Sequence, residues 1–98
     1  MSQFSEIIRS PKPTLVDFHA TWCGPCKMLA PVIVDLKKTV GDKLTVLKID
    51  VDKNQEVAAT YGIQGVPTLI LFKNGNIVWR QSGYLTLNQI QNAINPFI

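Results

Sequence analysis

The chain contains two cysteines, Cys23 and Cys26, separated only by Gly24 and Pro25. A disulfide between them encloses so few residues that it is expected to contribute roughly 2 kcal/mol, against about 4.7 kcal/mol for a loop of a hundred residues. The pair is therefore a poor structural crosslink. A C-x-x-C pair of this kind indicates chemistry instead, as a redox couple or as half of a metal site.

The metal alternative lacks ligands. Structural zinc normally takes four Cys or His ligands, and this chain offers two cysteines and one histidine, His19. Two chains could share such a site, but one chain cannot complete it. We therefore expect no resident metal and interpret Cys23 and Cys26 as a redox pair.

The position of the pair along the chain favours this chemistry. Cys23 stands where an apolar strand pattern ends and a helical pattern begins, so unpaired backbone N–H groups and the positive end of the helix dipole favour its thiolate. We expect Cys23 to be the nucleophile, and Cys26, one turn later, to be less exposed. Gly24 allows close approach of another backbone, and Pro25 suits a first helical turn because its missing N–H costs nothing there.

Composition and charge exclude several other functions. The 98 residues, 46% of them apolar and 17% charged, predict one globular domain over residues 1–98. Ten basic residues give a net charge of +3 but are scattered, which argues against nucleic-acid binding. No apolar run suits a secretory signal or a membrane span, so we expect a cytoplasmic protein without membrane contact.

Apolar spacing predicts the elements that position the cysteines. In chain order these are a helix around residues 4–8, a strand over 15–20, a helix from 24 to about 38, a strand over 44–49, a short helix capped by Asn54, strands over 68–72 and 77–81, and a last helix over 87–97. The first two strands are joined by a helix and should run parallel. Asn74-Gly75 predicts a hairpin, and Thr86 with Gln89 predicts a capping box. The result is a βαβ unit followed by a ββα unit.

Several motifs of the chain resemble those of the thioredoxin family, over nearly its whole length. The matching segments are Val16-Asp17-Phe18, Trp22-Cys23-Gly24-Pro25-Cys26-Lys27, Pro31, Tyr61-Gly62-Ile63, Gly65-Val66-Pro67-Thr68, Phe72-Lys73-Asn74-Gly75 and Gly83. A C-x-x-C pair alone is a modest signal. Its combination with the preceding Trp22 and a downstream Val66-Pro67-Thr68 is highly specific.

The resemblance implies an α/β thioredoxin fold with a mixed four-stranded sheet, order 2-1-3-4, flanked by helices. The family usually begins with a further strand, which this chain does not show before its first helix. The strand over 44–49 should then lie at an exposed edge, which its charged and polar side chains protect only in part. We expect a monomer in which this edge is able to pair with another chain.

The resemblance also implies a protein-disulfide reductase that works by dithiol-disulfide exchange. Cys23 attacks the disulfide of a target protein, and Cys26 then attacks the sulfur of Cys23 and releases the reduced target. Gly24 and Pro25 between the cysteines tune the redox couple and resemble the reducing members rather than oxidants or isomerases. The expected partners are a thioredoxin reductase and disulfide-containing proteins, with no bound cofactor beyond the Cys23–Cys26 disulfide.

Two charged residues match the family's buried acid and its partner. Asp17 corresponds to the acid beneath the cysteine pair, and Lys48 on the neighbouring strand corresponds to the lysine that tunes it. Desolvation raises the pKa of such a carboxyl, which suits it to accept a proton from Cys26. The alternative is an aspartate on a wet face of the strand.

Five residues match the family's substrate-binding surface. The resemblance makes Val66-Pro67 the cis peptide opposite the cysteines, where the backbone of Val66 is offered to an extended target segment. Trp22, Gly65 and Gly83 complete the rim. An ordinary strand-opening Pro67 and a core Trp22 are the structural alternatives.

His19 departs from the family pattern, which commonly has a tryptophan at this position. The imidazole could titrate and change the field around the cysteines, or it could serve as a polar packing substitution. Two other functions also stay open: a binding or metal-bridging module without redox turnover, and an oxidase or isomerase of an oxidising compartment, which Gly24-Pro25 disfavours.

Overall fold

The computed structural model describes residues 2–98. Its elements, in chain order, are helix α1 (Ser2–Ile8), strand β1 (Thr14–His19), helix α2 (Gly24–Val40), strand β2 (Thr45–Asp50), helix α3 (Gln55–Thr60), strand β3 (Thr68–Lys73), strand β4 (Asn76–Ser82) and helix α4 (Leu87–Ile94), with 3-10 turns at Gly41–Lys43 and Asn95–Phe97. Every predicted helix and strand is present. The helix predicted to end at Phe97 passes into the second 3-10 turn after Ile94.

The described residues form one mixed sheet of four strands in the order β2-β1-β3-β4. β1 runs parallel to β2 and antiparallel to β3, and β3 runs antiparallel to β4. The α/β architecture and the 2-1-3-4 order are thereby confirmed. β1 and β3 are buried in the middle, whereas β2 is only partly buried at an edge.

Alternating residues of β1 divide the core into two halves. Leu15 packs with residues of α2 and α4 on one face, and Val16 and Phe18 pack with residues of α1 and α3 on the other. Side chains two apart on a strand share a face. Asp17 and His19 therefore lie on the same face as Leu15, under α2, which begins at the active-site cysteines.

The two turn motifs have the predicted geometry. Asn74 and Gly75, with φ of 55° and 82°, both adopt the left-handed conformation that a two-residue hairpin requires. Thr86 Oγ1 accepts from the N–H of Gln89 at 3.2 Å, and the Gln89 side chain accepts from the Thr86 N–H at 2.9 Å. The hairpin and the capping box are both confirmed.

Asn54 occupies the predicted N-cap position of α3, but its side chain makes no capping hydrogen bond. Its Nδ2 donates instead to the carbonyl oxygen of Asp50 at 3.0 Å. The carboxylate of Asp50 accepts from the N–H groups of Asp52 and Lys53, so a tight turn lies between β2 and α3. The amide of Asn54 is directed back to close this turn, and the capping prediction was wrong in that respect.

Two neighbouring residues of α2 differ sharply in burial and allow the contribution of the core to stability to be measured. Leu29 is fully buried, whereas Met28, of similar size, is 61% exposed. We expect Leu29→Ala to lower the free energy of unfolding by about 2 to 5 kcal/mol. Met28→Ala, the matched control, should change it by no more than about 0.5 kcal/mol. Urea unfolding of both variants makes the comparison, and equal losses would contradict this assignment of the core.

Candidate active site

Cys23 and Cys26 are joined by a disulfide, with their Cα atoms 5.2 Å apart. Cys23 is the N-cap residue of α2, and Pro25 follows within the first turn. The backbone N–H of Cys26 donates to the sulfur of Cys23 at 3.1 Å. Both this hydrogen bond and the positive end of the helix favour negative charge on the sulfur of Cys23. The same geometry in the reduced protein therefore stabilises the thiolate of Cys23.

Both cysteines are buried, and to almost the same extent. Cys23 is 4% exposed and Cys26 is 6% exposed. Ala20 packs against the pair, and the carbonyl oxygen of Val66 lies 3.6 Å from the sulfur of Cys23. The Val66 backbone thus adds to the burial of Cys23. The predicted lower exposure of Cys26 is not found, because the two cysteines are buried to almost the same extent.

The segment facing Cys23 is held by local hydrogen bonds. The Val66–Pro67 peptide is cis, as the resemblance implied. The hydroxyl of Thr68 donates to the carbonyl oxygen of Gly65 at 2.6 Å, and the N–H of Gly83 donates to that of Pro67 at 2.8 Å. Gly83 has φ of +94°, a conformation that side chains rarely permit. The structure thus brings Gly65, Val66, Pro67 and Gly83 together in one segment cluster, from which the carbonyl oxygen of Val66 lies near the sulfur of Cys23.

Trp22 lies outside the core, with 70% of its surface exposed. Its indole N–H donates to the carboxylate of Asp52 at 2.9 Å. The core alternative for Trp22 is excluded. Asp52 was not predicted from the sequence, because it lies 30 residues from Trp22 and belongs to no local pattern. The only available signal was an acidic residue in the turn after β2, a strand that neighbours the one leading to the cysteines.

Asp17 is a buried acid rather than a residue on a wet face. Its side chain is 1% exposed, and Oδ1 has no hydrogen-bond partner among residues 2–98. Burial raises the pKa of this carboxyl above its ordinary value, while the charges of His19 and, to a lesser extent, Lys48 lower it. Lys48 lies opposite Asp17 in the parallel register of β1 and β2. The lysine identified by the resemblance therefore faces the acid.

A pocket of about 310 Å³ connects this acid to Cys26. Its lining residues are Asp17, His19, Ala20, Thr21, Cys26, Lys27, Ala30 and Lys48. Cys23 does not line it, so the two sulfurs have different surroundings: Cys23 faces Val66, and Cys26 faces the pocket. The arrangement provides one sulfur for attack on a partner and a second sulfur with an acid-base group on its own side.

The described part of the chain was considered for a metal-binding cluster and for a membrane-spanning helix, and it has neither. Residues 2–98 contain no group of three or more His, Cys, Asp or Glu side chains placed to hold a metal ion. Within the same residues, no helix has the length and apolar character needed to span a bilayer.

Known proteins are similar to this chain in sequence and in fold. The family model described as Thioredoxin matches residues 1–96. The chain is 48% identical over 84 residues to a thioredoxin from Bacillus subtilis, covering 86% of this chain and 81% of the relative. It is 45% identical over 94 residues to a thioredoxin from Haemophilus influenzae, covering 96% and 88% respectively. A solved structure of a mutant thioredoxin from Halobacterium salinarum matches with a TM-score of 0.89 at 37% identity, covering 99% of this chain and 84% of that one.

The raised pKa of Asp17 predicts a pH-dependent change in stability. The folded protein keeps the carboxyl proton to higher pH than the unfolded chain, so this group costs stability progressively as the pH rises from 3.8 through the raised value. Asp17→Asn removes the buried charge. We expect the oxidised variant to be more stable than the wild type at neutral pH, by roughly 1 to 3 kcal/mol. That advantage should disappear as the pH falls below 3.8.

Urea unfolding across this pH range measures the difference. Asp35→Asn is the matched control, because Asp35 lies exposed on α2 and its replacement should give no pH-dependent gain. An advantage of Asp17→Asn that is the same at all pH values would rule out charge burial as its cause.

Proposed function

The chain belongs to the thioredoxin family and is a thiol-disulfide oxidoreductase that reduces protein disulfides, and we propose that Cys23 and Cys26 divide its chemistry between attack and resolution. The observation that carries this proposal is the different surroundings of the two sulfurs. Cys23 accepts the N–H of Cys26 at the start of α2, whereas Cys26 lines the pocket that contains Asp17.

In the first step, the thiolate of Cys23 attacks one sulfur of a target disulfide. A new bond forms between Cys23 and that sulfur, the target S–S bond breaks, and the second target sulfur leaves as a thiolate that takes a proton from solvent. The N–H of Cys26 and the start of α2 support this role, because both favour the negative charge on Cys23. Hydrogen bonding thus increases the fraction of the nucleophile that is ionised.

In the second step, Cys26 resolves the mixed disulfide. Asp17, in its carboxylate form, accepts the thiol proton of Cys26, directly or through water in the pocket. The Cys26 thiolate then attacks the sulfur of Cys23, the Cys23–target bond breaks, and the target sulfur leaves as a thiolate. Two electrons pass from the dithiol to the target in the complete cycle. The buried position of Asp17 supports this role, because a carboxyl with a raised pKa is a better proton acceptor.

We assign the tuning of the redox couple to Gly24, Pro25 and Lys48. Gly24 and Pro25 complete the short segment between the cysteines and start α2, so the disulfide opens and closes without movement of distant elements. Lys48 contributes a positive charge opposite Asp17, which lowers the pKa of that acid and keeps it able to accept a proton. Family members need no cofactor beyond the disulfide itself.

Target proteins bind beside Cys23 in the proposed mechanism. The backbone of Val66 is close to the sulfur of Cys23, and the hydrogen bonds of Gly65, Pro67 and Gly83 hold this segment in place. An extended target segment is able to pair with such a backbone by strand addition. The exposed ring of Trp22 adds apolar contact area next to the reacting sulfurs.

We propose that a thioredoxin reductase returns the disulfide to the dithiol and that the protein works as a monomer in the cytoplasm. A dithiol that donates electrons needs a reducing compartment, where structural disulfides are rare. A binding or metal-bridging module without turnover is not favoured, because it gives no reason for an acid buried beside Cys26. The partly buried edge strand β2 is where pairing with another chain is sterically open.

The two proposed roles predict different phenotypes for substitutions at Cys23 and Cys26. Cys23→Ser should reduce insulin turnover with dithiothreitol to the uncatalysed rate. Cys26→Ser should also lose turnover but accumulate a covalent mixed disulfide with the target, visible on non-reducing gels. Gel bands from both variants, each treated with the same oxidised protein, make the comparison. Accumulation with Cys23→Ser instead would reverse the two roles.

The exposed Trp22 predicts a substrate-dependent effect. Trp22→Ala removes apolar contact area, so KM for a protein disulfide should rise roughly threefold to tenfold. The reaction with a small disulfide such as dithiobis(nitrobenzoate) should stay within about twofold of the wild type. Trp22→Phe, the matched control, keeps an aromatic ring but loses the hydrogen bond to Asp52. Equal losses with both substrates would show that Trp22 acts on the cysteines rather than on binding.

A further inference from the structure

The pocket under α2 contains two ionisable groups that the mechanism above does not use, Lys27 and His19. His19 lies two residues after Asp17 on β1, so the two side chains project from the same face of the strand. Both line the pocket together with Cys26. Their exposure differs, since Asp17 is 1% exposed whereas His19 is only half-buried. His19 therefore contacts both the pocket and the solvent.

This placement matters because a buried acid has to exchange its proton with water in every cycle. Oδ1 of Asp17 has no hydrogen-bond partner among the described residues, and the side chain has almost no contact with solvent. Imidazole is the side chain best suited to gain and lose a proton in the physiological range. We propose that His19 is a positioning residue that passes protons between Asp17 and solvent during resolution of the mixed disulfide.

The proton balance of the step is simple, and it rests on the proposed role of Asp17. The thiol proton of Cys26 moves to the Asp17 carboxylate as Cys26 attacks Cys23 and the target thiolate leaves. The protonated Asp17 then gives this proton, through water in the pocket, to neutral His19, whose imidazolium releases it to solvent. Asp17 is a carboxylate again, and no electron passes through His19.

The charged groups around His19 come from three elements. Asp17 precedes it on β1, Lys48 and Asp50 face it from β2, and Lys27 lines the pocket from α2. The carboxylate of Asp50, which is opposite His19 in register, is engaged by the N–H groups of Asp52 and Lys53. Asp17 is the one of these two carboxylates that shares the pocket with His19. A positive charge on His19 lowers the pKa of Asp17, in line with their shared position in the pocket.

The resolution step can be isolated by mixing the reduced protein with equimolar dithiobis(nitrobenzoate) in a stopped-flow instrument. Attack by Cys23 releases the first nitrobenzoate thiolate, and resolution by Cys26 releases the second. We expect His19→Ala to slow the second release roughly threefold to tenfold at neutral pH while the first stays within about twofold. His19→Gln, which keeps a polar side chain of similar size, should be as slow.

Chemical rescue separates proton transfer from packing. Added imidazole should restore the second release in His19→Ala, whereas pyrazole, which has the same shape but is a much weaker base, should not. His19→Ala should also have no further effect in an Asp17→Asn background, because His19 acts through Asp17. Equal rescue by both compounds, or a second release at the wild-type rate in both His19 variants, would overturn the proposal.

The same data separate this inference from the proposed function. If Asp17→Asn releases the second thiolate as fast as the wild type, the role of Asp17 fails, and the role of His19 fails with it. If Asp17→Asn is slow and both His19 variants are fast, only the role of His19 fails.

Discussion

The burial of β1 on both faces is the constraint on which the rest of the site depends. Its side chains alternate between a core formed with α2 and α4 and a core formed with α1 and α3. This alternation fixes the direction of every residue on the strand, because a shift by one position would exchange the two faces. Asp17 is therefore forced to the α2 side, and the strand delivers the chain to Cys23 at the start of that helix.

This constraint buries the carboxyl group of Asp17 where its charged form is destabilised. A carboxyl without a partner on one oxygen is expensive to bury, and its ionised form is the expensive one. The free energy lost to burial raises the pKa of Asp17, while the charges of His19 and Lys48 limit that rise. The same carboxyl lines the pocket that contains Cys26. In the proposed mechanism, the group whose burial costs stability is therefore also the one that accepts the proton of Cys26.

Cys23 and Cys26 are chemically identical side chains whose surroundings differ in the fold. Cys23 and Cys26 are almost equally buried, so exposure does not distinguish them. Their neighbours do: Cys23 faces the carbonyl oxygen of Val66 and accepts an N–H at the start of α2. Cys26 faces the pocket with the acid. Because the two environments differ, the proposed mechanism assigns one step to each sulfur.

The sequence by itself determined the elements and the cysteine pair, because these follow from local signals: apolar periodicity, the Asn74-Gly75 turn and the spacing of Cys23 and Cys26. The strand order came from the resemblance to a known family. It also identified Asp17 and Pro67, through the match of long motifs rather than through their own chemistry. Tertiary structure decided the contacts between residues far apart in the chain. It covered Cys23 with Val66, paired Trp22 with Asp52 and turned the amide of Asn54 away from its helix. These contacts depend on how loops pack together at the ends of strands. No periodic pattern in the sequence predicts which side chains meet there.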